Sequence, residues 1–484
     1  MSLFFRPMVV VASIAALALS SVSFSHGWGL SVDEKAKIVT VKPSDFKSEM
    51  SRLRRQGYDI AGVDLDKGEI DVVTGEVGLS ALSKTKGLSI VRSKAVLSSQ
   101  NIDDGYTTYA ELTQALQTFA ANFPEILKVE SFGKTLEGRD MWVVKISDNV
   151  DQSESEEPSV FFNAMHHARE VMTTEVALDL IGVLTSGVAS GNERIKKWVD
   201  QNEIWIVPMV NPDGSNKVWT SDSMWRKNAR GNYGVDINRN YPYKWGACSG
   251  SSGTQSAQDY RGPSAASEPE TQAMMNLVSR INPVMSISYH SYSELVLYPM
   301  SCDGQHAEDR EIVELVGKQL ASRLPKDTGG GTYKPGTSWE ILYAVDGGDL
   351  DWLYAEQDVL PYVVEINGTA QGFQPSFSKW RQKTVEKMRA GWGYFLDRVG
   401  GSGLRGRVFA ANGSAMTTGQ VTIESLGSNT DPSTALKTYK IKSNGTFQVL
   451  LKPGMYKVRL QGDNRSAEAD VIVGSELNSM DFIL

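Results

Sequence analysis

The stretch FFNAMHHARE, Phe161 to Glu170, decides how the rest of the chain is read. Its apolar part is short enough to be a strand buried on both faces of a sheet. It ends in two of the chain's five histidines, with Glu170 placed after His167 in an H-x-x-E spacing. Alone, such a pair is a weak signal, and a histidine at a strand end is more often a hydrogen-bonded core residue than a ligand. Two further apolar runs, however, finish in the same way. SISYH ends in His290, and YVVEI carries Glu365. Open α/β sheets gather their functional groups at such strand ends.

Outward from that strand, EIWIVPMV, PVMSISYH and LPYVVEI are also continuous apolar runs, separated by helix-length segments. A helix with Leu112, Leu116, Phe119 and Phe123 stops at Pro124, and a hairpin, ILKVESFG and MWVVKIS, follows it. The pattern predicts an α/β domain over residues 102–399, with a mixed, largely buried sheet and helices on both faces. Before it, residues 33–95 read strand, helix, strand, strand, short helix, strand, a small α+β unit of ferredoxin-like order. The polar segment Ser93–Asn101 reads as a linker open to proteases. After it, glycines break the pattern and short strands recur without helices, so residues 402–484 predict a β-sandwich of about seven strands.

The whole chain of 484 residues has a net charge of −8, which gives no electrostatic case for a nucleic-acid partner. Residues 1–25 carry Arg6, an apolar run from Met8 to Leu19 and then small residues, the layout of a signal peptide. The run is too short for a membrane span, and no later stretch approaches the roughly 20 residues one needs. The expectation is a soluble protein, secreted or periplasmic. Cys248 and Cys302 are the only cysteines. An exported chain can hold them as a disulfide, and they lack the CxxC spacing of thiolate zinc sites.

Two imidazoles and one carboxylate, with a fourth position left to water, make a catalytic zinc site. His167, Glu170 and His290 supply such a set, and no HExxH helix competes with it. At this point HARE, MWRKNARGNYGVDINRNY, ISYHSYSELVLYP, LYAVDGGDLDWLY and YVVEINGT together resemble the zinc metallocarboxypeptidases of the pancreatic A/B type, over about Tyr106 to Val399. The resemblance implies the carboxypeptidase fold and one Zn²⁺ held by His167, Glu170 and His290. It makes Asp236 the acid that orients the first histidine, Glu365 the general base and Arg226 the stabiliser of the oxyanion. It also implies that Asn238 and Arg239 grip the substrate's terminal carboxylate, that Tyr343 closes over it, and that Arg169, Tyr292 and Phe373 line the upstream subsite. Leu350 falls at the base of the pocket for the terminal side chain, which implies a preference for apolar C-terminal residues; Asp349 beside it and Asp303 after YPMSC are the complication, since either reaching the pocket would admit basic residues too.

The implied partners are peptide or protein C-termini. The N-terminal unit resembles an inhibitory pro-segment, and the C-terminal sandwich resembles a transthyretin-like or regulatory domain whose ligand is unknown. The chain departs from the pancreatic pattern after the base, where EINGT stands in place of a following arginine and aspartate. A cell-wall peptide carboxypeptidase is the alternative within enzymes. A catalytically silent binding protein on the same fold is the alternative from another class, and it would be free to lose Glu365 or Arg226, both of which are present.

Overall fold

The structure, a computed structural model, describes residues 36–302, 304–426 and 435–484. The expected signal peptide, the first residues of the N-terminal unit and Asp303 lie outside them. The N-terminal unit contains β1 (Lys37–Pro43), α1 (Phe46–Arg55), β2 (Asp59–Asp64), β3 (Glu69–Thr74), α2 (Glu76–Ser83) and β4 (Leu88–Ala95). The middle of the chain gives α3 (Tyr109–Asn122), β5 (Leu127–Lys134), β6 (Asp140–Ile146), β7 (Ser159–Ala164), α4 (Met172–Ala189), α5 (Glu193–Asp200), β8 (Glu203–Val207), α6 (Pro212–Thr220) and α7 (Pro269–Ile281). It continues with β9 (Met285–Ser291), β10 (Leu295–Tyr298), α8 (Arg310–Ala321), β11 (Lys334–Thr337), α9 (Ser338–Ile341), α10 (Asp349–Gln357), β12 (Leu360–Ile366) and α11 (Phe377–Val399). The last strands are β13 (Gly403–Phe409), β14 (Gln420–Ser425), β15 (Ala435–Lys440), β16 (Thr446–Leu450), β17 (Gly454–Gly462), β18 (Arg465–Val473) and β19 (Leu477–Ile483).

The central sheet has eight strands in the order β11-β10-β12-β9-β7-β8-β6-β5. Its middle is parallel, with β12 on β9, β9 on β7 and β7 on β8, and antiparallel pairs lie toward both edges. Every residue of β7 is buried, as the apolar run predicts. Side chains alternate between the two faces. Val160, Phe162 and Ala164 join the core under α4, α8 and α11, and Phe161 joins the core under α7 and α10. This double burial puts the ends of β7, β9 and β12 side by side at one edge of the domain.

Among the described residues α4 is long and apolar enough to cross a membrane, which the composition reading did not anticipate. Two thirds of it is buried against the sheet and α11, so its apolarity is that of a core helix. The N-terminal unit forms one antiparallel sheet in the order β2-β3-β1-β4, the ferredoxin-like arrangement. The linker after it is shorter than expected, because Ser93–Ala95 complete β4 and pair with β1. The C-terminal strands form sheets of three (β16-β13-β19) and four (β15-β14-β17-β18) that enclose their own core. Cys248 and Cys302 form a disulfide.

Candidate active site

His166 and His167 leave β7 through Met165, whose φ of 59° is uncommon for a residue with a side chain. The turn sends the two rings to different places. His166 enters the core, with Nε2 3.1 Å from the Tyr241 hydroxyl and the ring stacked on His290. His167 faces the strand ends. Its Nδ1 lies 2.7 Å from Glu170 Oε1 and 3.1 Å from His290 Nδ1, and His290 Nδ1 lies 3.1 Å from Glu170 Oε2. On the far side of the ring, His167 Nε2 is 3.3 Å from Asp236 Oδ1. That acid favours a proton on Nε2 and leaves the Nδ1 lone pair toward the gap.

Two imidazole nitrogens and a carboxylate at this separation, all buried, call for a cation or a proton between them. Burial pushes the His167 ring below its ordinary value, and the Arg226 guanidinium adds to this. Burial opposes the charged form of His290 too, but Glu170 outweighs it and the ring is raised. Burial also acts against the charged Glu170 carboxylate, yet the two histidines hold it well below its usual range. The donor set therefore fits Zn²⁺, which takes nitrogen and oxygen ligands and leaves one position open.

Around the triad the expected residues converge. Glu365, on β12, is paired in register with His290 of β9 and Leu295 of β10. Burial pushes its carboxyl up to about 7, with His290 the largest influence in the opposite direction. Arg226 donates from Nε and Nη2 to Asp236 Oδ2 at 3.1 and 2.9 Å. The Asp236 carboxyl, despite burial, is held far below its ordinary value by Arg226, His167 and Arg239. The Arg226 carbonyl accepts from Ala168 N at 3.0 Å, which ties its loop to the histidine turn. Arg239 is 4 % exposed and its Nε has no partner among the described residues, an arrangement suited to an incoming anion. Asn238 is turned inward instead. Its amide nitrogen is 3.4 Å from His290 Nε2 and its oxygen accepts from Asp349 N at 2.9 Å.

Leu350 packs in one apolar cluster with Leu295, Leu297 and Val363, against which Ile341 and Tyr343 rest. The adjacent Asp349 carboxylate is buried and lies 3.9 Å from His166 Nε2, behind the triad. Arg169, Tyr292 and Phe373 form one group, with the Arg169 guanidinium 4.3 Å from the Phe373 ring centre and the Tyr292 and Phe373 rings 4.7 Å apart. Residues that the chain order did not flag cover this group. Asp59 of β2 receives both ends of the Arg169 guanidinium at 2.5 and 2.9 Å. Asp71 of β3 accepts from the Tyr292 hydroxyl at 3.0 Å. Gly62 lies so close to Tyr292 that a Cβ there would sit 2.4 Å from its ring. Arg54 of α1 lies over the Tyr343 ring at 4.5 Å. Nothing in YDIAGVD or EIDVVT announces these roles, because an aspartate in a short apolar strand does not name a partner in a distant segment.

A strand-end site with two histidines and a carboxylate on a mixed sheet defines a class of metal-dependent peptidase, and the comparisons narrow it. Residues 112–390 match the zinc carboxypeptidase family, to which this chain belongs. A zinc carboxypeptidase of Saccharothrix mutabilis subsp. capreolus is 32% identical over 362 residues, which is 67% of this chain and 80% of that one. Carboxypeptidase B of Rattus norvegicus is 30% identical over 59% of this chain and 69% of its own length. In fold, the chain is similar to the carboxypeptidase A of Helicoverpa armigera, with a TM-score of 0.65 at 20% identity, covering 75% of this chain and 97% of that one. The protein is a zinc-dependent metallocarboxypeptidase that hydrolyses C-terminal peptide bonds.

Proposed function

We propose that the protein is an exported zinc carboxypeptidase, specific for apolar C-terminal residues and held latent by its N-terminal unit. The observation that carries the catalytic part is the convergence of His167, Glu170 and His290 beside Glu365 and a guanidinium with an open donor, Arg239. His167, Glu170 and His290 would hold Zn²⁺, which when bound supplies the Lewis acidity that polarises a peptide carbonyl and acidifies water. Glu365, poised near neutrality, accepts the proton of the attacking water and passes it to the departing amine. Arg226, fixed by Asp236, offers its guanidinium to the oxygen that gains charge. Arg239 pairs with the free carboxylate of the substrate. An internal peptide bond has no carboxylate there, so cleavage is confined to the chain end. Tyr343 closes over the bound terminus and Leu350 floors the pocket. An ammonium or guanidinium placed against that leucine would be unpaired, which costs several kcal/mol, on the order of a thousandfold in selectivity.

Latency is supported by the N-terminal unit lying across Arg169, Tyr292 and Tyr343, residues that the substrate would need. Export is supported by the disulfide, a bond of oxidising compartments. The test is release of terminal residues from a C-terminal peptide library by protein cleaved after β4, with and without a chelator. Phenylalanine and leucine should leave fastest, chelation should abolish release, and Leu350→Asp should shift preference toward lysine and arginine. Metal analysis of His290→Ala should show zinc lost from a folded domain; one equivalent retained would remove His290 from the ligand set.

A further inference from the structure

The segment after Glu365 is where the chain departs from the pancreatic pattern, and the structure shows what stands there instead. Asn367 is fully buried with φ 61°. Its carbonyl accepts from Ser293 N at 2.9 Å and Glu294 N at 3.1 Å, in the turn that follows His290. Its backbone N–H donates to the Tyr333 hydroxyl at 3.2 Å, and its side-chain Nδ2 donates to Asp327 Oδ2 at 3.1 Å and Thr384 Oγ1 at 2.8 Å. Gly368 N donates to the same Asp327 oxygen at 3.1 Å, and Lys387 of α11 pairs with the other one. The Lys387 and Asp327 side chains are 8 % and 4 % exposed.

A buried ion pair is weak evidence for stability, since desolvating both charges offsets much of their attraction. What this pair does supply is a fixed place for Asn367. One residue then joins three things: the end of β12 with Glu365, the turn beyond His290, and helix α11. A shift of the base by about 1 Å relative to the reacting atoms is enough to lower a rate by roughly a hundredfold.

We propose that Asn367, clamped by the Asp327–Lys387 pair, is the positioning unit that holds Glu365 at its working distance from the metal triad. It rests on the reading of Glu365 as the base. It touches neither substrate nor metal and acts through the strand end.

The test uses the cleaved, zinc-loaded enzyme. Asp327→Asn removes the charge that holds Lys387 and leaves one acceptor oxygen where there were two, so its amide faces either Asn367 or Lys387 as donor against donor. Asn367→Asp sets two carboxylates against each other, and each single change should lower kcat by about tenfold to a hundredfold with KM and zinc content nearly unchanged. The swapped double variant Asp327→Asn with Asn367→Asp restores one hydrogen bond in the reverse direction and should return kcat to within about threefold of wild type. On a Glu365→Gln background, Asp327→Asn should cost less than about twofold, because the group it positions is gone. If the single variants do not fold, Asn367→Gly, which suits the left-handed backbone, removes only the side chain and should show the same loss of kcat. Normal kcat in Asp327→Asn or in Asn367→Gly, an undiminished loss on the Glu365→Gln background, or a swap no better than the singles would overturn the proposal. Glu365→Gln keeping more than about a tenth of wild-type turnover is a different failure, since it removes the base itself.

Discussion

The two outer domains hold the catalytic domain in different ways. The N-terminal unit meets it through side chains that belong to the site. Asp59 pairs with Arg169, Asp71 accepts from Tyr292, Val63 N donates to Ser293 Oγ at 2.9 Å, and Ala61 and Val73 pack on Met224, Tyr292 and Phe373. The C-terminal sandwich meets it away from the site, at the ends of helices. Lys442 Nζ donates to the carbonyls of Asn282 and Pro283 beyond α7, at 2.8 and 3.0 Å. Lys440 Nζ donates to Glu356 O at 2.8 Å and Lys437 Nζ to Tyr354 O, both in the last turn of α10. Gln448 Nε2 donates to Val399 O at the end of α11, at 2.9 Å. Helix C-termini leave carbonyls unpaired and carry partial negative charge, so three lysines there satisfy both needs. Leu450 of the sandwich is also part of the main catalytic core. One partner covers the side chains that the proposed function assigns to substrate; the other completes secondary structure that would otherwise be unfinished.

The largest effect that would test this contrast is removal of a domain. Deleting residues 402–484 should abolish soluble, cooperatively unfolding protein, because it strips the ends of three helices and part of the core at once. Cleavage between β4 and the helix that begins at Tyr109 should leave a folded enzyme whose activity rises. Size-exclusion chromatography, calorimetry and peptidase assay on both products would decide it, and a folded, active protein without the sandwich would erase the difference between the domains.

Next in size is Asp59→Ala. Arg169 is 1 % exposed while the N-terminal unit is docked, and removing one partner of a buried pair costs about 3–5 kcal/mol. Docking should weaken by roughly a hundredfold or more, seen as peptidase activity in the uncleaved chain. Activity as low as in the wild-type uncleaved chain would show that apolar packing alone keeps the unit in place.

A smaller effect is expected at the sandwich. Lys442→Met leaves the Asn282 and Pro283 carbonyls without their donor, at a cost of about 1–3 kcal/mol and a few degrees in Tm, with kcat unchanged. The wild-type protein carries a pH signature of the same lysine, since burial lowers its ammonium to about 8 from 10.5. The unfolded chain binds the extra proton between those values, so this lysine's contribution to stability rises with pH from 8 toward 10.5, and the variant should lack that rise.

The smallest expected effect is that of mild acid on latency. Burial acts against the charged form of Asp59, but Arg169 prevails and holds its carboxyl below the ordinary 3.8. A depressed carboxylate contributes its full docking energy above that ordinary value and loses it only as pH falls through the lower, docked one. Uncleaved protein held at pH 5 and assayed at neutrality should therefore be as latent as an untreated sample. Activation at pH 5 would point to another group in the interface.

Much of the site could be read from the chain because strand ends are a local feature. HHARE, SISYH and YVVEI each carry their reactive residue just where an apolar run stops, and run length with burial on both faces is encoded within a few residues. Asn367 was visible only as a departure; its partners Asp327, Lys387 and Tyr333 come from separate elements, and no spacing marks them. Asp59 was invisible for the same reason, its partner being 110 residues away.

The sequence by itself determined the donor set, the buried strands that present it, the ferredoxin-like order of the N-terminal unit and the all-β character of the last domain. Side-chain chemistry and backbone periodicity are properties of short stretches. Tertiary structure alone decided that Asn238 turns inward, that Asp59 closes on Arg169, and that sandwich lysines cap two helices while Gln448 caps a third. Each of these depends on which surfaces face each other once distant segments pack. A charged or polar side chain takes whatever partner the packed fold brings within hydrogen-bond distance, and its neighbours in the chain do not name that partner.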